Sequence, residues 1–215
     1  MSPKINFISI AKKSLLLLLI LVSFGQVFSQ NISSKKWKDL FSYNNVLAIS
    51  HDGGKLIAAT ENGVFYYDTT NGEISKLSKA NGLHEVKISA FDYNPATQTG
   101  LIGYVSGAMD LITPEGITYV VDIPVAQGFN GDKNINHISI TDNQAVISVD
   151  YGVSIYDLVK KEFGASSFFT DGATYQASKE ATIKGNTVYS ATAGGLKTHE
   201  LNVTFPVFST WTTLA

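Results

Sequence analysis

The 215-residue sequence contains no cysteine. No disulfide can brace the fold, and no lipidated cysteine can anchor the chain to a membrane. An exported domain without disulfides must rest on its core and its sheet pairing, a usage that suits a bacterial envelope protein better than an animal secreted domain. Charge is also sparse, 16% of residues against 44% hydrophobic, which is near the globular norm and excludes a disordered chain. A long apolar run is missing as well. The stretch from Ser14 to Gly25 is shorter than the ~20 residues a spanning helix needs. With Lys4, Lys12 and Lys13 before it and Val27, Ser29 and Gln30 after it, it reads as a secretory signal peptide over residues 1–29, cleaved after Ser29. No integral membrane span is then expected in the mature chain. Cleavage removes three lysines and no acid, leaving 13 basic against 18 acidic residues, a formal charge of −5. Such a balance disfavours nucleic acid and anionic membrane as partners.

Helix formers are scarce after the leader, whereas Val, Ile, Thr, Tyr and Phe recur in short runs separated by Gly, Asn and Asp. Those runs repeat. Thr60-Glu61-Asn62-Gly63-Val64 aligns with Tyr104-Val105-Ser106-Gly107-Ala108, Val149-Asp150-Tyr151-Gly152-Val153 and Thr192-Ala193-Gly194-Gly195-Leu196. Gly63, Gly107, Gly152 and Gly195 lie 44, 45 and 43 residues apart, the period of a propeller blade. Each glycine follows an apolar run and precedes a second one, so it is expected to supply the positive φ of a tight hairpin between two central strands. A second turn at Thr69-Thr70-Asn71-Gly72 leads to a further strand, giving three or four antiparallel strands per unit.

A single sheet of that size cannot bury both faces, and stacking successive units does. The expected fold is therefore an all-β propeller with about four blades present, over repeats near 46–85, 86–133, 134–175 and 176–215 of a domain spanning 30–215. Leu56, Ala58, Leu101, Val146, Val188 and Ser190 are expected between blades. A parallel α/β fold is excluded because no stretch between repeats has a 3.6-residue apolar period over ten or more positions. Trp37-Lys38-Asp39-Leu40 precedes Gly63 by 26 residues, and Trp211-Thr212-Thr213-Leu214 has the same place before a fifth glycine that would fall past Ala215. This predicts that the chain stops inside a fifth blade; the alternative is a closed four-bladed ring. A partial ring leaves open blade faces and predicts a sticky chain.

Chemistry-bearing patterns are few. His51, His84, His137 and His199 have no metal-ligand spacing and read as structural. Asp68, Asp110 and Asp157 fall near corresponding places after the turn glycine and read as caps of their own blade turns. Asn130-Gly131-Asp132-Lys133-Asn134 has oxygen donors at alternate places, but lacks the terminal acid of a calcium loop and carries a lysine. Neither a metal nor another cofactor is expected. No nucleophile elbow, phosphate-binding loop, zinc signature or dinucleotide fingerprint occurs, and no matched glycosidase pair can be assigned. Phe65, Tyr66, Tyr67, Phe91, Tyr93 and Tyr104 could form a sugar- or protein-binding face, about half of them pointing inward on alternating strands. No catalytic or binding residue is assigned.

The run Trp37-Lys38-Asp39-Leu40-Phe41-Ser42-Tyr43-Asn44-Asn45-Val46, with Gly54 to Asp68, Gly103 to Ile112 and Asp132 to Asn136, resembles the opening of PorZ proteins of the type IX secretion system. More loosely, Thr60-Glu61-Asn62-Gly63 is similar to the two-component regulator propeller repeat. The first resemblance implies two seven-bladed propellers and a C-terminal β-domain, of which this stretch would be part of the first propeller. It implies a non-catalytic scaffold at the cell surface, in a complex that helps a sortase-like partner remove secretion signals and join cargo to anionic lipopolysaccharide. The implied partners are other secretion-system envelope proteins and, through regions outside this stretch, the lipopolysaccharide. Two other classes remain open: a periplasmic glycan-sensing propeller of a two-component regulator, and a polysaccharide-active propeller enzyme.

Overall fold

The computed structural model describes residues 40–127, 131–170 and 173–214. Within them the chain forms four antiparallel sheets of four strands, each an up-and-down meander in sequence order. The first holds β1 (Val46–Asp52), β2 (Lys55–Thr60), β3 (Gly63–Asp68) and β4 (Ile74–Leu77). The second holds β5 (Ile88–Asn94), β6 (Thr99–Tyr104), β7 (Met109–Thr113) and β8 (Gly116–Val120). The third comprises β9 (Ile135–Thr141), β10 (Gln144–Val149), β11 (Gly152–Asp157) and β12 (Glu162–Phe168). The fourth comprises β13 (Ser178–Lys184), β14 (Thr187–Thr192), β15 (Gly195–Glu200) and β16 (Thr212–Leu214). The first strands of successive sheets lie against one another, which makes them the inner strands of four propeller blades. The longest α-helix among the described residues is α1 (Asp122–Val125), and none is long and apolar enough to cross a membrane.

Alternation along each strand decides the packing. On the first sheet Ala48, Ile57, Ala59, Val64 and Tyr66 face the second blade and meet Ile88, Phe91, Ile102 and Tyr104. Leu101, Met109 and Leu111 of the second blade meet Ile138, Ala145 and Ile147 of the third. Val146, Val153 and Ile155 of the third meet Ala181, Ile183 and Val188 of the fourth. Leu101, Val146, Val188 and Ser190 are buried as expected, whereas Ala58 is buried but lies outside the first inter-blade core, on the face turned away from the second blade. Leu56 is not buried: it is 38% exposed, because it alternates with Ile57 and points to the opposite face of the first sheet.

The inner strands add a polar seam. Tyr93 Oη donates to Asp52 at 2.8 Å, Asp92 accepts the Ile140 amide at 2.6 Å, and Asn136 donates to the Ser178 carbonyl at 2.9 Å. Each inner strand also carries a register shift near its start, between Val46 and Ala48, Ile88 and Ala90, Ile135 and His137, and Ser178 and Glu180. Such bulges sharpen local twist, and here they recur at the same place in all four inner strands.

Trp211 departs from the sequence expectation. It immediately precedes β16, which pairs with β15, so this segment supplies the outermost strand of the fourth blade and does not open a fifth. Its indole is buried against Phe169 and Phe205 and donates to the Phe205 carbonyl at 3.0 Å. Trp37 lies outside the described residues.

Candidate functional site

The turn glycines lie on one end of the blades, in the β2–β3, β6–β7, β10–β11 and β14–β15 hairpins. Gly107, Gly152 and Gly195 take φ of +87°, +135° and +104°. Gly63 does not take positive φ. A Cβ there would lie 2.6 Å from the Leu77 carbonyl oxygen, so close passage of the outer strand accounts for the glycine. The hairpins are also unequal. Two residues separate β2 from β3, β10 from β11 and β14 from β15, but Val105-Ser106-Gly107 makes a longer turn in the second blade, with the Tyr104 amide donating to Ala108.

That extra residue shifts the alignment of the second blade. Asp110 pairs with Ile102, two before the end of β6, and the equivalent pairs elsewhere are Ala58 with Phe65, Ile147 with Ser154 and Ser190 with Lys197. Asp110 is therefore not a turn cap. Asp68 and Asp157 are: Asp68 Oδ1 accepts the Thr70 amide and hydroxyl, and Asp157 Oδ1 accepts the Val159 and Lys160 amides. These bonds hold the Asp68 and Asp157 carboxyls below the usual range, led by the Thr70 hydroxyl and the Lys160 amide respectively.

Asp110 is fully buried and gathers a polar cluster at the same end of the blades. Its Oδ2 accepts the Tyr104 hydroxyl at 2.5 Å and the His84 amide at 2.9 Å, and its Oδ1 lies 2.6 Å from His84 Nδ1. With a carboxylate as its acceptor, Nδ1 is the nitrogen that donates. Burial, helped by Asp110, drives the Tyr104 hydroxyl well above its ordinary pKa. The His84 ring stacks on Tyr119 of β8 with centroids 4.6 Å apart. Tyr119 in turn bonds Glu85 Oε1, which raises its pKa to about 12, and Ser106 donates to Glu85 Oε2 at 2.6 Å.

The β4–β5 crossover that carries His84 and Glu85 is pinned along its length. Asn81 Oδ1 accepts the Ser78 amide, Leu83 is buried against the first inter-blade core, and Lys87 O accepts the Val105 amide at 3.2 Å. Lys87 has φ +63°, and among the described residues it is the non-glycine left-handed position outside a hairpin turn. Such a conformation costs about 1–2 kcal/mol and is held here by the bonds on either side. Lys79, His84, Glu85, Val86, Lys87, Val105, Ser106 and Tyr119 line an open groove of about 520 Å³.

The other positions singled out from sequence do not converge. His51 is exposed on β1, His137 is part-buried on β9, and His199 bonds the Glu200 carbonyl and Thr210. Among the described residues no three His, Asp or Glu side chains come together as a metal site. Asn130 lies outside the described residues, and Lys133 places its ammonium 2.8 Å from Pro124 O and 3.1 Å from Ala126 O. Of the six aromatics named above, Phe91 and Tyr104 are buried, and the aromatic in the groove is Tyr119. His84 and Asp110 lie 26 residues apart with no motif linking them, so sequence reasoning missed the cluster.

Four meandering four-stranded blades, joined at their inner strands, define a β-propeller segment with a polar groove at one end. The sequence profile described as "TSS9, PorZ, N-terminal beta-propeller domain" matches residues 56–212, and the chain belongs to that family. Among solved structures it is similar to PorZ, described as an essential bacterial surface component of the type-IX secretion system of Porphyromonas gingivalis. That match has a TM-score of 0.70 and 18% identity, and covers 84% of this chain and 24% of PorZ. It is also similar to the extracellular domain of a putative one-component system from B. thetaiotaomicron, with a TM-score of 0.63 and 15% identity over 83% of this chain and 23% of the other. The chain thus spans about a quarter of the length of these solved relatives. No curated protein matches it significantly.

Proposed function

We propose that the chain works as part of the N-terminal propeller of a type IX secretion component: a non-catalytic envelope scaffold that supports processing and surface attachment of secreted cargo. The observation that carries this reading is the family match across residues 56–212. In this reading residues 1–29 are an export signal, residues 30–215 belong to the N-terminal propeller domain, and the propeller faces the periplasm or the cell surface. A propeller suits such work because its blades form a stiff frame and its loops gather at two ends, where partners can be met. Partners are other secretion-system envelope proteins, with anionic lipopolysaccharide engaged through regions outside this stretch. Deleting the gene should leave cargo unprocessed inside the envelope, and tagged protein should capture envelope components. Wild-type secretion in the deletion strain would overturn the reading.

A second reading is favoured by the likeness to the extracellular domain of the B. thetaiotaomicron system: a propeller that senses a ligand outside the cell. It requires a membrane span and a signalling domain in the same gene product. Sequencing the gene beyond codon 215 separates the two.

A further inference from the structure

We propose that the groove between the β4–β5 crossover and the β6–β7 turn docks an extended acidic peptide segment of a partner protein, one in which a carboxylate neighbours an apolar side chain. The proposal rests on the adaptor reading and names the surface through which the adaptor would act.

The groove is held in one shape by bonds that the other described blades do not repeat. Phe65, Ser154 and Lys197 stand where the second blade has Asp110, and the turn between the central strands is longer here. Asp110 grips both the main chain and the ring of His84, and that ring backs Tyr119. The hydroxyls of Tyr119 and Ser106 occupy both oxygens of Glu85, the carboxylate among the groove-lining residues. Lys79 and Lys87 line the same groove, and neither has a carboxylate within ion-pair distance among the described residues, whose ion pairs are His84 with Asp110 and Lys160 with Asp157. With Glu85 as the one carboxylate of the lining, the two ammoniums leave the groove wall net positive. Beside them Val86 and Val105 are exposed, and the His84 side chain is 40% exposed.

Each part matches one feature of the ligand. An incoming carboxylate finds two cations without partners, an apolar side chain covers the two valines, and the imidazole edge and Ser106 can meet a peptide main chain. Because Asp110 and Glu85 are already engaged, little rearrangement is needed before binding, which favours a preformed site.

The test uses the purified chain and a fluorescein-labelled peptide of repeated Glu-Val, followed by anisotropy. Saturable binding is expected, weakened about tenfold in the Lys79→Gln/Lys87→Gln double variant and weakened by added salt. Val105→Ser should also weaken it, Lys179→Gln on β13 should leave it unchanged, and a repeated Lys-Val peptide should not bind. Matching thermal melts of the variants show that the fold is intact. No binding by the folded chain overturns the proposal, as does binding indifferent to the double substitution. Binding of a polyuronate that depends on Lys79 and Lys87, with no peptide binding, would assign the groove to a glycan and overturns it too. Capture of envelope partners by the double variant at wild-type level would remove the groove from the adaptor's docking surface and leave the adaptor reading standing; failure of the wild-type protein to capture any would sink the adaptor reading whatever the peptide does.

Discussion

Asp110 is the residue on which the second blade turns, since a fully buried carboxylate is tolerated only with its lone pairs filled. Asp110→Ala would leave the Tyr104 hydroxyl and the His84 amide without their acceptor, and a loss of about 3 kcal/mol in urea unfolding is expected. Gly152 is equally constrained from the backbone side: its φ is +135° and a Cβ would meet the Ser167 carbonyl oxygen at 2.3 Å. Gly152→Ala should therefore cost about 2 kcal/mol or more, read from the same unfolding curves. Tyr104 sets an alkaline limit. Its folded pKa is raised by burial and by Asp110, so the native state keeps a proton that the unfolded chain releases from about pH 10 upward. Stability from this group is complete below that pH and is lost as pH rises towards the folded pKa. Tyr104→Phe should flatten the alkaline arm of a stability–pH curve, and an unchanged arm would refute the assignment.

At the scale of elements, the periodic part of the fold is the part that could be read in the sequence. Hairpin glycines recur because each blade turns at the same place, three of them at positive φ and Gly63 under the outer strand, and alternation then marks which strand faces are apolar. What escaped reading is what breaks the repeat or spans it. Asp110 lies three residues short of the strand place that Asp68 and Asp157 hold, opposite Ile102 where the first blade has Phe65 opposite Ala58, so nearness to the turn glycine does not make it a cap. The recurrent bulges leave no residue signature, since Leu47, Ser89, Asn136 and Lys179 share no chemistry. Trp211, which by spacing alone would open a new blade, anchors the last strand of the fourth through Phe169 and Phe205. Trp211 thus serves an outermost strand that pairs on one side only and is tied down by a large buried anchor. Trp211→Ala should cost about 3–5 kcal/mol and release β16, seen as fast hydrogen exchange at the β15 amides that pair with it. If β15 stays protected, the anchoring role is wrong.

For the molecule as a whole, the decisive feature is the face of the first blade that turns away from the second. Ile49, Ala58 and Phe65 form one cross-strand row on it, and His51, Leu56 and Tyr67 form the next. Ile49 is 67% exposed and Leu56 and Tyr67 more than a third, whereas the partner rows on the opposite face are buried in an inter-blade core. Blade faces of this composition are normally covered, and a contiguous apolar patch left in water drives association. Tyr43 shields only one end, packing edge-on against Phe65 with Lys76 over its ring. The isolated chain is therefore expected to self-associate as its concentration rises, by light scattering coupled to size exclusion. A Lys at both positions 49 and 56 places like charges on neighbouring rows of the same face, and should return the chain to a monomer without lowering its melting temperature by more than a few degrees. Persistent oligomers in that double variant would mean that another surface holds the copies together. A chain monomeric at all concentrations would mean that this face is covered in solution.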